Sequence, residues 1–195
     1  MTVAGTNELA LSVHKRAEGA AERLVKGYQD QLYSYALRLL RDPMDAQEVI
    51  QDAFIRAIKA LTLQYDAARC GRLALRPWLF RITRNLAYNR GRARSRIREE
   101  QLEPGSNGHR AAILRTGERR DESPSCREVD ALDQALDSLN PESRELVLLR
   151  FMEEMSYDDI AATCGITAAA ARAKVFRALS RLRKILSQLE NQDAM

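Results

Sequence analysis

From Tyr28 onward the apolar positions fall into a helical rhythm. Tyr28, Leu32, Tyr35, Ala36, Leu39 and Leu40 share one face at a 3.6-residue period. Arg41-Asp42-Pro43 closes that helix, because proline disfavours helical geometry in the residue before it. The next stripe, Val49, Ile50, Ala53, Phe54, Ala57, Ile58 and Leu61, predicts a second helix over residues 44–61. Residues 62–75 show no clear period and contain Gly71, so they read as a loop. Pro77 suits the first turn of a third helix that buries Trp78, Leu79, Ile82 and Leu86. Ahead of these, Leu9, Val13 and Ala17 recur every four positions, which predicts either a short helix or a loose tail for 1–24.

Residues 25–95 therefore make one small helical domain. Residues 96–128 are polar, hold several Gly and Pro and lose all periodicity, as a flexible linker does. Order returns at Val129, and the stripe Leu132, Leu136, Leu139 opens a second domain over 129–190. Asn140-Pro141-Glu142 starts a helix running through Phe151, and helices over 156–164 and 167–189 follow. In that last pair a small residue, Ala161, stands four before Gly165, with Ile166 after it and Ala171 and Val175 further on. A helix-turn-helix needs this order: a small residue at the crossing, a glycine for the positive-φ turn, an apolar anchor beyond it. Ser156 with Asp159 is close to a capping box, and Thr167 can cap the second helix. The predicted fold class is all-α: two small helical domains on a flexible linker, the C-terminal one a helix-turn-helix.

Composition agrees with the pattern. At 195 residues, 45% hydrophobic and 30% charged, with few Gly and Pro, the chain suits two small helical domains. No apolar run is long enough to cross a membrane and the start lacks a secretion signal, so no membrane insertion is expected. Cys70, Cys126 and Cys164 are scattered without metal-ligand spacing. They read as free thiols in a reducing cytoplasm, with no metal site and no cofactor.

Charge changes the picture more. Between Asp66 and Glu99 stand ten arginines and no acid, although the whole chain carries a net charge of only +4. Trp78, Phe80 and Tyr88 are interleaved with them. Segregated positive charge with aromatics suits nucleic acid, against the plainer alternative of a solvated basic face. On the 78–90 helix, Arg81, Arg84, Asn85, Tyr88, Asn89 and Arg92 share the side opposite Leu79, Ile82 and Leu86. Trp78 is either core or part of a stacking platform. The last helix exposes Arg172, Lys174, Arg177, Arg181, Arg183 and Lys184 in a stretch, 160–189, without an acid. There Arg172 can donate to guanine, and Lys174 or Arg177 can bind phosphate. The acids Asp45, Glu48 and Asp52, with Gln51 beside them, form a stripe of opposite sign. It is either a dock for a basic protein or a solvated face. His14 and His109 both fall in segments that look disordered, and no nucleophile–base pair is present, which disfavours an enzyme.

Together these motifs resemble a known family. LYSYALRLLRDPMDAQEVIQDAFIRAIKAL followed by RPWLFRITRNLAYNRGR is similar to the second domain of bacterial sigma factors of the extracytoplasmic-function group. LDSLNPESRELVLLRFMEEMSYDDIAATCGITAAAARAKVFRALSRLRKIL is similar to their fourth. The resemblance implies a non-enzymatic promoter-specificity subunit acting with RNA polymerase core (β′ clamp helices, β flap). Asp45, Glu48, Gln51 and Asp52 then contact the clamp helices. It implies that Arg81, Asn85 and Asn89, together with Arg69, Arg72, Arg76, Trp78, Arg84 and Tyr88, meet the minus-10 element as duplex and melted non-template strand. The 62–75 loop would hold a flipped base. Arg172, Lys174, Phe176, Arg177 and Arg181 would meet the minus-35 element, while Arg90 to Arg98 serve phosphates. An anti-sigma factor is an expected partner. The chain departs from the family at Ala169–Ala170–Ala171 and Ala173, where hydroxyls are usual, and at Gly91, where the helix is expected to end early. The rival function is a stand-alone regulator that uses only the helix-turn-helix.

Overall fold

The computed structural model describes residues 3–101, 132 and 134–193, with side chains described from residue 8 to 94, at 132 and from 134 to 188. Every regular element among them is helical. The chain divides into two units, Met1–Arg115 and Thr116–Met195. Val129, Cys126, His109 and most of the expected linker lie outside the described residues.

In the first unit, α2 (Ala20–Leu40), α3 (Pro43–Lys59) and α5 (Leu75–Gln101) pack around one core. Leu24, Leu32 and Tyr35 of α2 are fully buried there, and Tyr35 meets Phe80 of α5 with ring centroids 5.1 Å apart. The α2–α3 break forms where expected. Arg41 takes a left-handed φ of 55°, and Asp42 caps α3 by accepting from the N–H groups of Met44 and Asp45, with Pro43 in the first turn.

Several expectations are narrowed or changed. Of the two readings of 1–24 the short helix holds: α1 (Val3–His14) buries Leu9, Ala10 and Val13. His14 is held there too, with Nδ1 2.9 Å from the Leu61 carbonyl. Residues 62–75 are not a plain loop. A π-helical turn (Ala60–Gln64) continues α3, and α4 (Ala67–Arg72) follows, capped by the Asp66 carboxylate accepting from Arg69 N–H at 2.7 Å. Six residues are too few to display a period. α5 begins two residues before Pro77 and does not end at Gly91: a Cβ there would meet nothing within 4 Å, so glycine is tolerated in an open helical stretch. The helix reaches Gln101, inside the segment expected to be linker. Its inner face is also rotated from the expected one. Leu79, Phe80, Thr83 and Leu86 are buried, whereas Trp78 and Ile82 are half-buried.

The Thr83 hydroxyl is fully buried and has no hydrogen-bond partner among the described residues. An unsatisfied buried hydroxyl is destabilising, so Thr83→Val is expected to stabilise the protein by about 1 kcal/mol. Thermal unfolding followed by circular dichroism measures this, and a lower melting temperature contradicts it.

In the second unit, α6 (Pro141–Val147) runs into a π-helical turn (Leu148–Met152), then come α7 (Tyr157–Cys164) and α8 (Ala168–Asp193). The helix expected from 140 to 151 is thus α-helical first and widened at its end. Asn140 caps α6 and Ser156 caps α7. Gly165 takes φ 71° and its N–H returns to Ala161, so the turn forms as the sequence predicts. Thr167 accepts from Ala170 N–H to start α8. Ala171 and Val175 of α8 are buried, as is Ile160 of α7, while Ala178 and Leu182 pack with Ala135, Leu139 and Val147. Leu136 joins that cluster, but Leu132 is 45% exposed.

Candidate nucleic-acid interface

The π turn after α3 turns the chain so that Tyr65 packs against Trp78 beside an open pocket of about 350 Å³ that both rings line. Their ring centroids are 5.7 Å apart, tilted at 52°. Arg56, Lys59, Gln64 and Asn85 complete the rim. Arg69 lies 3.7 Å from the Tyr65 ring centroid, a cation–π contact. An open, aromatic, cation-edged hollow of this kind carries the two kinds of group, rings and cations, that single-stranded nucleic acid binding uses. Trp78 and Asn85 were foreseen; Arg56, Lys59, Gln64 and Tyr65 were not. They come from the end of α3 and the turn beyond it, and only the tertiary fold brings them to Trp78.

Among the other expected residues, Arg81 and Asn89 are exposed on the same side of α5 as Asn85. Arg84 rests 4.7 Å from the Tyr88 ring centroid. Arg76 faces elsewhere, donating to Gln31 at 3.3 Å and lying over Phe80. Arg72 donates to its own helix at the Ala68 carbonyl.

The arginines further along α5 do something the sequence did not suggest. Arg90 binds Asp45 at 2.7 Å and Glu48 at 2.6 Å. Arg94 binds Asp42 at 2.9 Å and Asp45 at 3.1 Å. Two of the arginines expected to serve phosphates therefore neutralise part of the acidic stripe on α3. The hydrogen bond to Asp45 raises the Arg90 pKa further. The Asp45 backbone N–H, opposed by partial desolvation and helped by Arg94, holds the Asp42 carboxyl below its ordinary range. Asp45 is left largely covered, with 14% of its side chain exposed, whereas Glu48, Gln51 and Asp52 face solvent. Met44 and Ile55 are exposed on the same helix, so the face mixes acid, amide and apolar groups.

Burial pushes the Cys70 thiol above its ordinary value, which leaves little thiolate for redox chemistry.

On the second unit, Ala169, Arg172, Ala173, Phe176 and Arg177 bound an open trough of about 480 Å³ on α8. Phe176 is 67% exposed, and Arg177 and Arg181 are free of the core. Of the alanines expected to stand in place of hydroxyl residues, Ala169 and Ala173 line this trough, whereas Ala171 is buried. Arg172 lies 5.2 Å from the Tyr157 ring centroid, and Arg150 lies at the same distance from it. Lys174 departs from expectation: it is drawn into an ion pair with Glu142 of α6, which turns its charge toward the protein.

Among the described residues no group of His, Cys, Asp and Glu side chains is arranged to hold a metal ion, and no helix is long and apolar enough to cross a membrane.

Two family models match these units: Sigma-70 region 2 over residues 24–97 and Sigma-70, region 4 over residues 130–182. The chain is 30% identical over 192 residues to the RNA polymerase sigma-H factor of Pseudomonas aeruginosa, covering 93% of this chain and 94% of that protein. It is 31% identical over 173 residues to the ECF RNA polymerase sigma factor SigE of Mycolicibacterium smegmatis. That match covers 89% of this chain but spans only 64% of the relative's length. The fold is shared with CnrH, solved in complex with the cytosolic domain of CnrY, at a TM-score of 0.66 and 24% identity over 94% of this chain and 97% of that one. Both sigma regions, in order and on one chain, place it: the protein belongs to the extracytoplasmic-function sigma factors of RNA polymerase.

Proposed function

We propose that this sigma factor docks on polymerase core through the exposed face of α3 and reads the promoter through the Trp78 pocket and the α8 trough. The observation that carries this is a change of sign along one strip of α3. Glu48 and Asp52 occupy its middle, and Arg56 and Lys59 its end, where they edge the aromatic pocket. One helix thus offers a basic protein surface its acids and a nucleic-acid strand its cations.

Glu48, Gln51 and Asp52 touch the β′ clamp helices directly. Asp45 acts one step back, by holding Arg90 and Arg94. Trp78, Arg81, Asn85 and Asn89 meet the melted non-template strand of the minus-10 element, and a base leaves the stack to enter the pocket. Arg69 fixes Tyr65, and Arg84 and Tyr88 flank the strand. Arg172, Phe176, Arg177 and Arg181 meet the minus-35 duplex, while Lys174 serves α6 rather than DNA. The second unit also meets the β flap. The protein is not itself an enzyme, acts in the cytoplasm and is restrained by an anti-sigma factor. The domain roles follow the same division: 25–95 for docking and melting, 129–190 for the upstream element.

Purified protein mixed with polymerase core and a promoter library tests the reading. Transcripts starting at discrete sites, absent without the protein, are the expected result. Tight binding to duplex operator alone, with no effect on core, would instead favour the stand-alone regulator.

A further inference from the structure

The region 2 match begins at residue 24, yet α1 lies before it and packs against α4, the π turn and α5. The contact has a focus. At the end of a helix the last carbonyls run out of backbone donors. In the π turn the Tyr65 N–H returns to Ala60, and the carbonyl of buried Leu61 is met by side chains. His14 Nδ1 stands 2.9 Å from it, and the Cys70 thiol, a weak donor, 4.0 Å. Around this point Ala10, Val13 and Cys70 are fully buried, and Leu11 lies against Gly71 of α4. The chain on either side of Leu61 carries Lys59, Gln64, Tyr65 and Arg69. All but Arg69 line the Trp78 pocket, and Arg69 backs Tyr65.

We infer that His14, at the end of α1, is a positioning residue for the base-accepting pocket: its N–H holds the Leu61 carbonyl and so sets where Tyr65 stands against Trp78. Its Nδ1–H tautomer donates. A single π turn at a helix end is a soft element, since the carbonyls that follow its closing hydrogen bond find no further helical donors. Without the His14 donor the turn is free to shift, and Tyr65 moves with it. α1 thereby becomes a working part of the promoter-reading surface although no α1 residue lines the pocket. The consequence for transcription rests on the proposed role of the pocket; the coupling between His14 and Trp78 does not.

Trp78 is the single tryptophan of the chain, so its fluorescence reports this pocket alone. The full-length protein is compared with His14→Ala and with His14→Asn, whose amide N–H falls near the position of Nδ1. In the free protein, His14→Ala is expected to shift Trp78 emission and raise its quenching by acrylamide, and His14→Asn to restore both. In reconstituted polymerase, His14→Ala is expected to slow opening of a duplex promoter about fivefold, the effect of one net hydrogen bond, with core affinity unchanged. It is expected to spare initiation from a template with a preformed bubble. Unchanged Trp78 fluorescence in His14→Ala overturns the inference, as does failure of His14→Asn to restore it. So does collapse of the far-ultraviolet circular dichroism in His14→Ala, which would mark general support rather than positioning. Altered fluorescence with normal promoter opening keeps the coupling and sinks the proposed role of the pocket instead.

Discussion

Asp52→Arg is expected to abolish binding to polymerase core while leaving the fold intact. Asp52 is exposed on α3 and joins no ion pair among the described residues, so its removal breaks nothing internal. An arginine there lies one turn from Glu48 on one side and one turn from Arg56 on the other, so the gain and the loss within the helix are each only about 0.2–0.5 kcal/mol and the fold survives. Facing a basic docking surface, however, it replaces attraction with like-charge repulsion. Such a juxtaposition costs several kcal/mol, or about 100-fold or more in affinity. Fluorescence anisotropy of labelled protein titrated with core reads this directly. Asp45→Ala supplies the contrast. It releases Arg90 and Arg94 from partly exposed pairs worth roughly 0.2–1 kcal/mol each, so its main effect falls on the packing of α5 against α3. Equal loss of core affinity in both variants would erase the distinction between contact and support.

Trp78→Ala is expected to leave core binding unchanged and to cripple strand opening. The indole is half-buried, with one side toward Tyr65 and the rest facing the pocket, so truncation removes a stacking partner more than it opens the core. Loss of stacking on one base costs about 1–3 kcal/mol, or ~5- to 150-fold in the stability of the open complex. Permanganate footprinting of melted thymines measures it. Arg81→Ala should behave differently. Its cost is smaller at low salt, and it lowers the salt slope of promoter binding by about 1, as expected of a phosphate contact. A Trp78→Ala holoenzyme that melts the promoter normally would place the reading surface elsewhere.

What could be seen in the sequence was what depends on neighbours in the chain. The helix-turn-helix was legible because Ser156, Gly165 and Thr167 act on backbone groups within four residues of themselves. The acidic stripe of α3 was legible because helix periodicity places it. Its partners were not: Arg90 lies 45 residues from Asp45, and nothing local distinguishes it from an arginine awaiting phosphate. The pocket was half legible for the same reason, since Trp78 and Asn85 announce themselves on α5 while Tyr65 waits in a stretch without period. α1 was ambiguous because its buried positions, Leu9, Ala10 and Val13, make a short and partly small-residue stripe. α4 was invisible because it holds only six residues and its cap, Asp66, reads equally as a turn.

The change of sign along α3 has a consequence of another kind. An α-helix carries a partial positive charge at its start and a negative one at its end, so acids early and cations late each gain about 0.3–1 kcal/mol. α3 places Asp45 in its first turn and Arg56 and Lys59 in its last, so both ends carry the charge the helix dipole favours. At its cationic end, the surface proposed to meet the promoter is therefore one the isolated helix already prefers. Reversing the charge of Arg56 or Lys59 is thus expected to weaken the helix end and the proposed promoter-reading pocket together, so that folding and the proposed function favour the same residues there.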